Sequence, residues 1–101
     1  MDAFRRISVQ EAHELMGLKD VTIVDIRDGD SFTQGHMAGA QLVNDANIKD
    51  FLQATDKETP LMCYCYHGIS SQRAADFFVA QGFRQVYSID GGFEGWKAVY
   101  G

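Results

Sequence analysis

Short apolar runs alternate with helical patterns along the chain, and this alternation constrains the fold most. Residues 21–26, 61–64 and 85–89 are apolar or β-branched runs typical of buried strands, and residues 40–43 form a weaker, shorter one. Strands that alternate with helices, and that are apolar on both faces, predict an α/β fold with a mainly parallel sheet covered on both sides.

Helical patterns precede, separate and follow the predicted strands: residues 8–17, 45–55 and 70–82 are helical, and residues 90–100 are a glycine turn followed by a helix. Residues 28–35 are either a short turn or a helix of one to two turns. Ser8, followed three residues later by Glu11, predicts a capping box at the start of the first helix. Gly17 and Gly82 are expected to end the first and fourth helices, because glycine adopts the left-handed conformation that often follows a helix.

The length and charge of the chain narrow the classes of function. The 101 residues suit one domain, 1–101, with one modest core. The net charge of −5 argues against nucleic acid or an anionic membrane as a partner. No apolar run is long enough to span a bilayer, and the N-terminal residues lack the apolar core of a secretory signal. Two cysteines do not make a disulfide framework, so we expect a cytoplasmic protein with free thiols.

The two cysteines stand at different places relative to the strand 61–64. In parallel sheets, ligands bind at the carboxyl ends of the strands, which here are followed by residues 25–28, 65–70 and 90–92. Cys63 lies inside the strand and is expected to be a core residue. Cys65 follows the strand and precedes a helix, where loop N–H groups and the helix N-terminus stabilise a thiolate and an anionic substrate.

Three other roles for the thiols fit the sequence less well. Cys63, Cys65 and His67 form a C-x-C-x-H run, but there is no second cluster to complete a tetrahedral metal site. The spacing also differs from the C-x-x-C of thioredoxin-like redox sites. A cysteine phosphatase needs an Arg six residues after its nucleophile; Ser71 holds that place, and Arg73 comes two residues later.

Four motifs follow one another along the chain: VDIRD (24–28), GHMAGA (35–40), CYHGISS (65–71) and IDGGFEGW (89–96). Over nearly the whole chain they resemble the rhodanese (thiosulfate sulfurtransferase) family. The resemblance implies a three-layer α/β/α fold with a mainly parallel central sheet of about five strands. It also implies that this loop length handles sulfur, whereas longer loops in the fold handle phosphate or arsenate.

The resemblance carries roles to individual positions. It makes Cys65 the persulfide-forming residue. The surrounding loop would bind substrate through Tyr66, His67, Gly68, Ile69, Ser70 and Ser71. Asp25, Arg27 and His36 match the supporting residues of the first two motifs, and Gly91, Gly92 and Trp96 match the last motif.

Each of these side chains also has a purely structural interpretation. Asp25 is expected to pair with Arg27 or to cap a loop, and His36 to be a hydrogen-bonded loop histidine. His67 either tunes the thiolate or faces outward. Ser70 or Ser71 is expected to cap the helix 70–82, and both hydroxyls are also candidate donors to a bound anion.

The implied activity is transfer of a sulfane sulfur from thiosulfate to cyanide or to a dithiol such as thioredoxin, by ping-pong kinetics through Cys65 and without a metal or cofactor. Two departures from the family pattern predict weak thiosulfate binding. Many members carry Arg where this chain has Tyr66, and short members carry Asn where it has Ile69. A phosphate- or arsenate-processing enzyme of the same fold and a non-catalytic binding module are the competing interpretations.

Overall fold

A computed structural model describes residues 3–101; Met1 and Asp2, which the sequence assigns to the same domain, lie outside the described residues. The strands are β1 (Arg5–Ile7), β2 (Thr22–Asp25), β3 (Gln41–Leu42), β4 (Leu61–Tyr64) and β5 (Val86–Ile89). The helices are α1 (Val9–Leu18), α2 (Gly29–Gln34), α3 (Ile48–Ala54), α4 (Ser70–Ala80) and α5 (Gly92–Tyr100).

The five strands form one parallel sheet in the order β1-β5-β4-β2-β3, with β4 at its centre. Alternate side chains of β4 point to opposite faces, as the two-residue period of a strand requires. Met62 and Tyr64 pack with residues of α1 and α5, whereas Leu61 and Cys63 pack with residues of α3 and α4. The predicted three-layer α/β/α fold is therefore confirmed, and the helices cover both faces of the sheet.

The predicted start of α1 is confirmed, and its predicted end is wrong. The Ser8 Oγ accepts a hydrogen bond from the Glu11 N–H at 3.0 Å, and the Glu11 carboxylate accepts one from the Ser8 N–H at 2.8 Å, so the capping box is confirmed. Gly17 does not end the helix, because α1 continues to Leu18 and is followed by an extended Lys19. Gly82, with a φ of +102°, does follow the end of α4 as predicted.

Strand β1 was not recognised from the sequence. It has three residues, pairs with β5 at the sheet edge and buries only Ile7, leaving Arg5 and Arg6 exposed. So short an edge strand carries no readable alternation. Within residues 3–101, no helix combines the length and apolar character needed to cross a bilayer.

Candidate active site

Cys65 is the first residue after the central strand β4, and its side chain is 5% exposed. The loop that follows curls around the sulfur. The backbone nitrogens of Gly68 and Ser71 lie 3.2 and 3.3 Å from Cys65 Sγ, and both donate to it. The loop therefore places two backbone N–H groups on one sulfur atom, as an anion cradle does.

The electrostatics of this cradle favour the thiolate. Burial alone would raise the pKa of the Cys65 thiol. Hydrogen bonding by the Ser71 hydroxyl, and by the backbone N–H groups of Ser71, Gly68 and His67, outweighs that effect and lowers the pKa below its ordinary value. The pKa of Cys63 is shifted the other way, because burial and the nearby Cys65 both disfavour its thiolate. Of the two thiols, only Cys65 is prepared to act as an anion.

The start of α4 differs from the prediction. Neither Ser70 nor Ser71 caps this helix: both lie inside its first turn, and the cap position belongs to Ile69. Among the described residues no side-chain oxygen caps α4. The N–H of Ser71 is one of the helix's unpaired first donors, and it donates to Cys65 instead.

Gly68 allows the loop to approach the end of β5. Its φ is +91°, and a Cβ there would lie 2.8 Å from the nitrogen of Gly91 and 3.0 Å from the carbonyl oxygen of Ile89. Neither the conformation nor the space suits any other residue. The bend that points the Gly68 N–H at the sulfur thus depends on glycine.

Helix α5 begins directly against the same loop. The N–H groups of Phe93 and Glu94 donate to the carbonyl oxygens of Cys65 and Tyr66 at 2.8 and 3.0 Å. Gly92 makes this approach possible: its φ is +58°, and a Cβ would lie 2.5 Å from the Cys65 carbonyl oxygen. The last motif of the sequence therefore holds the cradle from outside, and Trp96 is buried in the core behind it.

Three small polar residues underlie the cradle. The hydroxyl oxygens of Ser71 and Ser88 are 2.8 Å apart, and both residues are fully buried. The Cys63 thiol is also fully buried and donates to the carbonyl oxygen of Ser71 at 3.4 Å. Cys63 is thus a core residue, and Ser88 is a neighbour of the site that the sequence did not indicate.

Asp25 and Arg27 form a buried ion pair beside the site. The guanidinium donates to Asp25 at 2.6 Å and to the carbonyl oxygen of Gly35 at 2.7 Å, and its carbon lies 4.3 Å from the centre of the Phe93 ring. Burial alone would lower the pKa of Arg27, but the hydrogen bonds and negative charge of Asp25 raise it above its ordinary value. The cation is therefore paired within the protein, and its side chain is only 3% exposed.

Tyr66 points away from the cradle, toward α2. Its hydroxyl donates to the carboxylate of Asp28 and lies 2.8 Å from the hydroxyl of Ser31. The hydrogen bond from Tyr66, with further ones from Ser31, holds the pKa of the exposed Asp28 well below its usual range. An ionised carboxylate is thus fixed next to the loop.

The other predicted loop residues face solvent. His67 and Ser70 are exposed, and the side chain of Ile69 is 77% exposed, so none of the three side chains closes over the sulfur. His36 lies farther off, where its Nδ1 is 2.8 Å from the carbonyl oxygen of Phe32 and its ring stacks on that phenylalanine. Arg73, also exposed, is on the first turns of α4.

A groove of about 780 Å³ opens beside Tyr66 rather than over Cys65. Its lining includes Arg27, His36, Phe93 and Trp96. Within residues 3–101, no three His, Cys, Asp or Glu side chains come together in a way that would hold a metal ion.

Residues 8–99 match the family model of the rhodanese-like domain. The chain belongs to the rhodanese family. Two relatives cover nearly the whole chain, and both carry the name thiosulfate sulfurtransferase GlpE. The protein of Pseudoalteromonas translucida is 46% identical over 98 residues, covering 97% of this chain and 93% of the relative. That of Shewanella oneidensis is 48% identical over 96 residues, covering 95% of each.

The fold is also found among solved rhodanese structures. A rhodanese-like domain protein from Staphylococcus aureus superimposes with a TM-score of 0.79 at 26% identity, covering 92% of this chain and 91% of the other. The family and the fold implied by the four sequence motifs are both confirmed. Ser88 and Asp28 are the polar neighbours of the site that sequence reasoning did not single out.

Proposed function

We propose that this protein is a thiosulfate sulfurtransferase that carries the sulfane sulfur as a persulfide on Cys65. The observation that supports it most is the pair of N–H groups from Gly68 and Ser71 on the Cys65 sulfur, at the start of a helix. This arrangement stabilises a nucleophilic thiolate without a metal or an acidic or basic side chain. The names of the relatives at 46–48% identity supply the reaction.

In the first half-reaction, the Cys65 thiolate attacks the outer sulfur of thiosulfate. A bond forms between Cys65 Sγ and the outer sulfur as the S–S bond of thiosulfate breaks. The electron pair of the broken bond leaves on sulfite. The enzyme then holds Cys65–S–S⁻. The cradle N–H groups and the positive end of α4 stabilise negative charge on sulfur during this transfer.

In the second half-reaction, another nucleophile takes the outer sulfur and the Cys65 thiolate leaves. Cyanide yields thiocyanate in one step. With a dithiol such as thioredoxin, one thiolate takes the sulfur as a persulfide, and the second thiol displaces hydrosulfide to form a disulfide. Two separate half-reactions through a covalent intermediate predict ping-pong kinetics.

The loop residues take the substrate-binding roles in this proposal. The backbone of the loop would face the sulfur or the thiosulfate oxygens through Tyr66, His67, Gly68, Ile69, Ser70 and Ser71. We propose that thiosulfate is a weakly bound donor, because this loop contains no Arg or Lys. We also propose that the protein works in a reducing cytoplasm, where Cys65 stays free.

Two alternatives fit the site less well. A phosphate- or arsenate-processing enzyme needs a guanidinium six residues after the nucleophile, where Ser71 is fully buried against Ser88. Arg73, farther along α4, is exposed to solvent. A non-catalytic binding module would have no use for a cysteine whose pKa is lowered by its own loop.

Intact-mass measurement after mixing with thiosulfate tests the proposal. We expect the native chain and Cys63→Ala to gain the mass of one sulfur atom and to lose it when cyanide is added. Cys65→Ser is expected to gain nothing. Sulfur loading of Cys65→Ser, or hydrolysis of p-nitrophenyl phosphate by the native chain at a rate above that of Cys65→Ser, would contradict the proposal.

A further inference from the structure

The fully buried hydroxyl of Ser88 has a single hydrogen-bond partner among the described residues, the hydroxyl of Ser71. Ser88 lies on β5, where it pairs in register with Cys63 of β4. Its position is therefore fixed by the sheet and not by the loop. Ser71 belongs to the first turn of α4, and its N–H already donates to Cys65. The two hydroxyls thus connect the rigid sheet to the residue that touches the sulfur.

Each hydroxyl has one proton and two lone pairs, so the direction of this hydrogen bond matters. If Ser71 donates to Ser88, the Ser88 proton has no acceptor among the described residues, and a buried unpaired donor is costly. If Ser88 donates to Ser71, the buried Ser88 proton has an acceptor, and the Ser71 oxygen is held by a donor on the rigid sheet. This second arrangement anchors the first turn of α4, where the Ser71 N–H donates to Cys65 Sγ at 3.3 Å.

We propose that Ser88 is a positioning residue: its hydroxyl donates to Ser71 Oγ and thereby holds the Ser71 N–H on the sulfur of Cys65, a connection that we call the relay. The proposal rests on the role of Cys65 as the nucleophile. The Ser71 N–H lies 3.3 Å from Cys65 Sγ, and hydrogen bonding by Ser71 is one of the causes that lower the pKa of the Cys65 thiol. Hydrogen bonds to an ionised acceptor are stronger than neutral ones, and a chain of donors strengthens each member.

The relay acts mainly on the thiolate, which is the attacking group in the first half-reaction and the leaving group in the second. In the persulfide, the charge moves to the outer sulfur, farther from Ser71. Ser88 therefore favours release of the sulfur to the acceptor, because the thiolate that must leave is the species that the relay stabilises.

The test measures the pKa of Cys65 without any substrate. The rate of alkylation by iodoacetamide is followed against pH in the reduced protein, and its midpoint gives the thiol pKa. For Ser88→Ala we expect a midpoint about one unit higher, which is a tenfold smaller thiolate fraction below the midpoint. Val86→Ala is the matched control: it truncates a buried residue two positions earlier on the same strand, in the core cluster with Leu61 and Phe78, and should leave the midpoint in place.

A double-mutant cycle separates a relay from a general loosening of the site. If Ser88 acts through Ser71, the variant Ser71→Ala/Ser88→Ala will have the midpoint of Ser71→Ala alone. Additive shifts, or a native midpoint in Ser88→Ala, would overturn the proposal. If Ser88→Ala does not fold, Ser88→Cys, which is slightly larger and carries a weaker donor, fills the same place, and its midpoint should also rise.

Failure of the proposed function would look different. A protein that thiosulfate never loads, but whose Cys65 midpoint still rises in Ser88→Ala, would retain the relay and lose the assigned reaction. If thiosulfate loads the protein but the Cys65 midpoint is the same in Ser88→Ala as in the native chain, the assigned reaction stands and the relay is absent.

Discussion

Ile69 is an unusual residue to find at the cap position of a helix. Serine, threonine, asparagine and aspartate are preferred there, because their side chains accept a hydrogen bond from the first N–H groups of the helix. A side chain of that kind would compete for the N–H of Ser71, which here donates to Cys65. Ile69 is 77% exposed, and its apolar side chain cannot accept a hydrogen bond from that N–H. Ile69 therefore leaves the Ser71 N–H available to the sulfur of Cys65, and its own side chain stays outside the cradle.

Asp28 gives a prediction about substrate charge. Its carboxylate is ionised and anchored to Tyr66, next to the loop that must accept a doubly negative donor. For Asp28→Asn we expect loading of Cys65 by thiosulfate to become about two- to fourfold faster at low ionic strength and to approach the native rate in molar salt. Asparagine keeps the shape and the capping ability at the start of α2. Stopped reactions analysed by intact mass give the rates.

Asp30→Asn is the matched control for this measurement. Asp30 is an exposed acid in the first turn of the same helix, α2, whereas the Tyr66 hydroxyl bonds to Asp28 and Ser31. An equal acceleration in Asp30→Asn, or a ratio that does not change with salt, would show that Asp28 exerts no local charge effect on the donor.

At the scale of elements, the start of α5 determines the shape of the cradle. A methyl group at Gly92 would meet the carbonyl oxygens of Cys65 and Tyr66 at 2.5 and 2.6 Å, so α5 and the loop would have to separate. For Gly92→Ala we expect a loss of about 2 kcal/mol or more in the free energy of unfolding, together with slower loading of Cys65. Urea unfolding and thiosulfate loading measure the two effects.

Gly95→Ala provides the comparison within the same helix. A Cβ at Gly95 would lie 3.6 Å from the Val9 side chain, an ordinary contact, and alanine is the better helix former by about 1 kcal/mol. This variant should be as stable as the native chain or more stable, and load at the native rate. If both variants behave alike, the close approach at Gly92 does not control the site.

The elements differ in how well the sequence predicted them. β2, β4 and β5 were recognised because each is a buried apolar run. Helix α4 was recognised because Ala74, Phe77 and Phe78 form an apolar stripe before Gly82, although the structure leaves Phe77 exposed. β1 was missed because its three residues gain their strand conformation only from pairing with β5. The caps expected at Ser70 and Ser71 were wrong for a functional reason, since the sulfur of Cys65 takes the N–H that a cap would use.

At the scale of the whole molecule, the sequence indicated which loops meet but not which atoms do. The parallel order of the strands brings the ends of β2, β4 and β5 to one edge, and this followed from the alternation of strands and helices. The contact between Ser71 and Ser88 joins residues 17 positions apart, and that between Asp28 and Tyr66 joins residues 38 apart. Such pairs depend on strand register and on helix orientation, which no local pattern specifies.

The buried guanidinium of Arg27 ties together three parts of the molecule: Asp25 at the end of β2, the Gly35 carbonyl after α2, and the Phe93 ring of α5. Arg27→Gln would leave the fully buried carboxylate of Asp25 without its partner. We expect a loss of about 3–5 kcal/mol in the free energy of unfolding, measured with urea, because an uncompensated buried charge is that costly. A total stability of about 5–15 kcal/mol is usual for a chain of this size, so the loss would be a large share of it.

Arg84→Gln is the surface counterpart of that change. Its pair with Glu58 spans 3.7 Å, and the two side chains are 69% and 72% exposed, so the loss should stay below about 1 kcal/mol. In Asp25→Asn/Arg27→Gln, neither charge remains to be compensated, and part of the stability lost in Arg27→Gln should return. If Arg27→Gln is no less stable than Arg84→Gln, or if adding Asp25→Asn only increases its loss, the ion pair does not hold these three parts together.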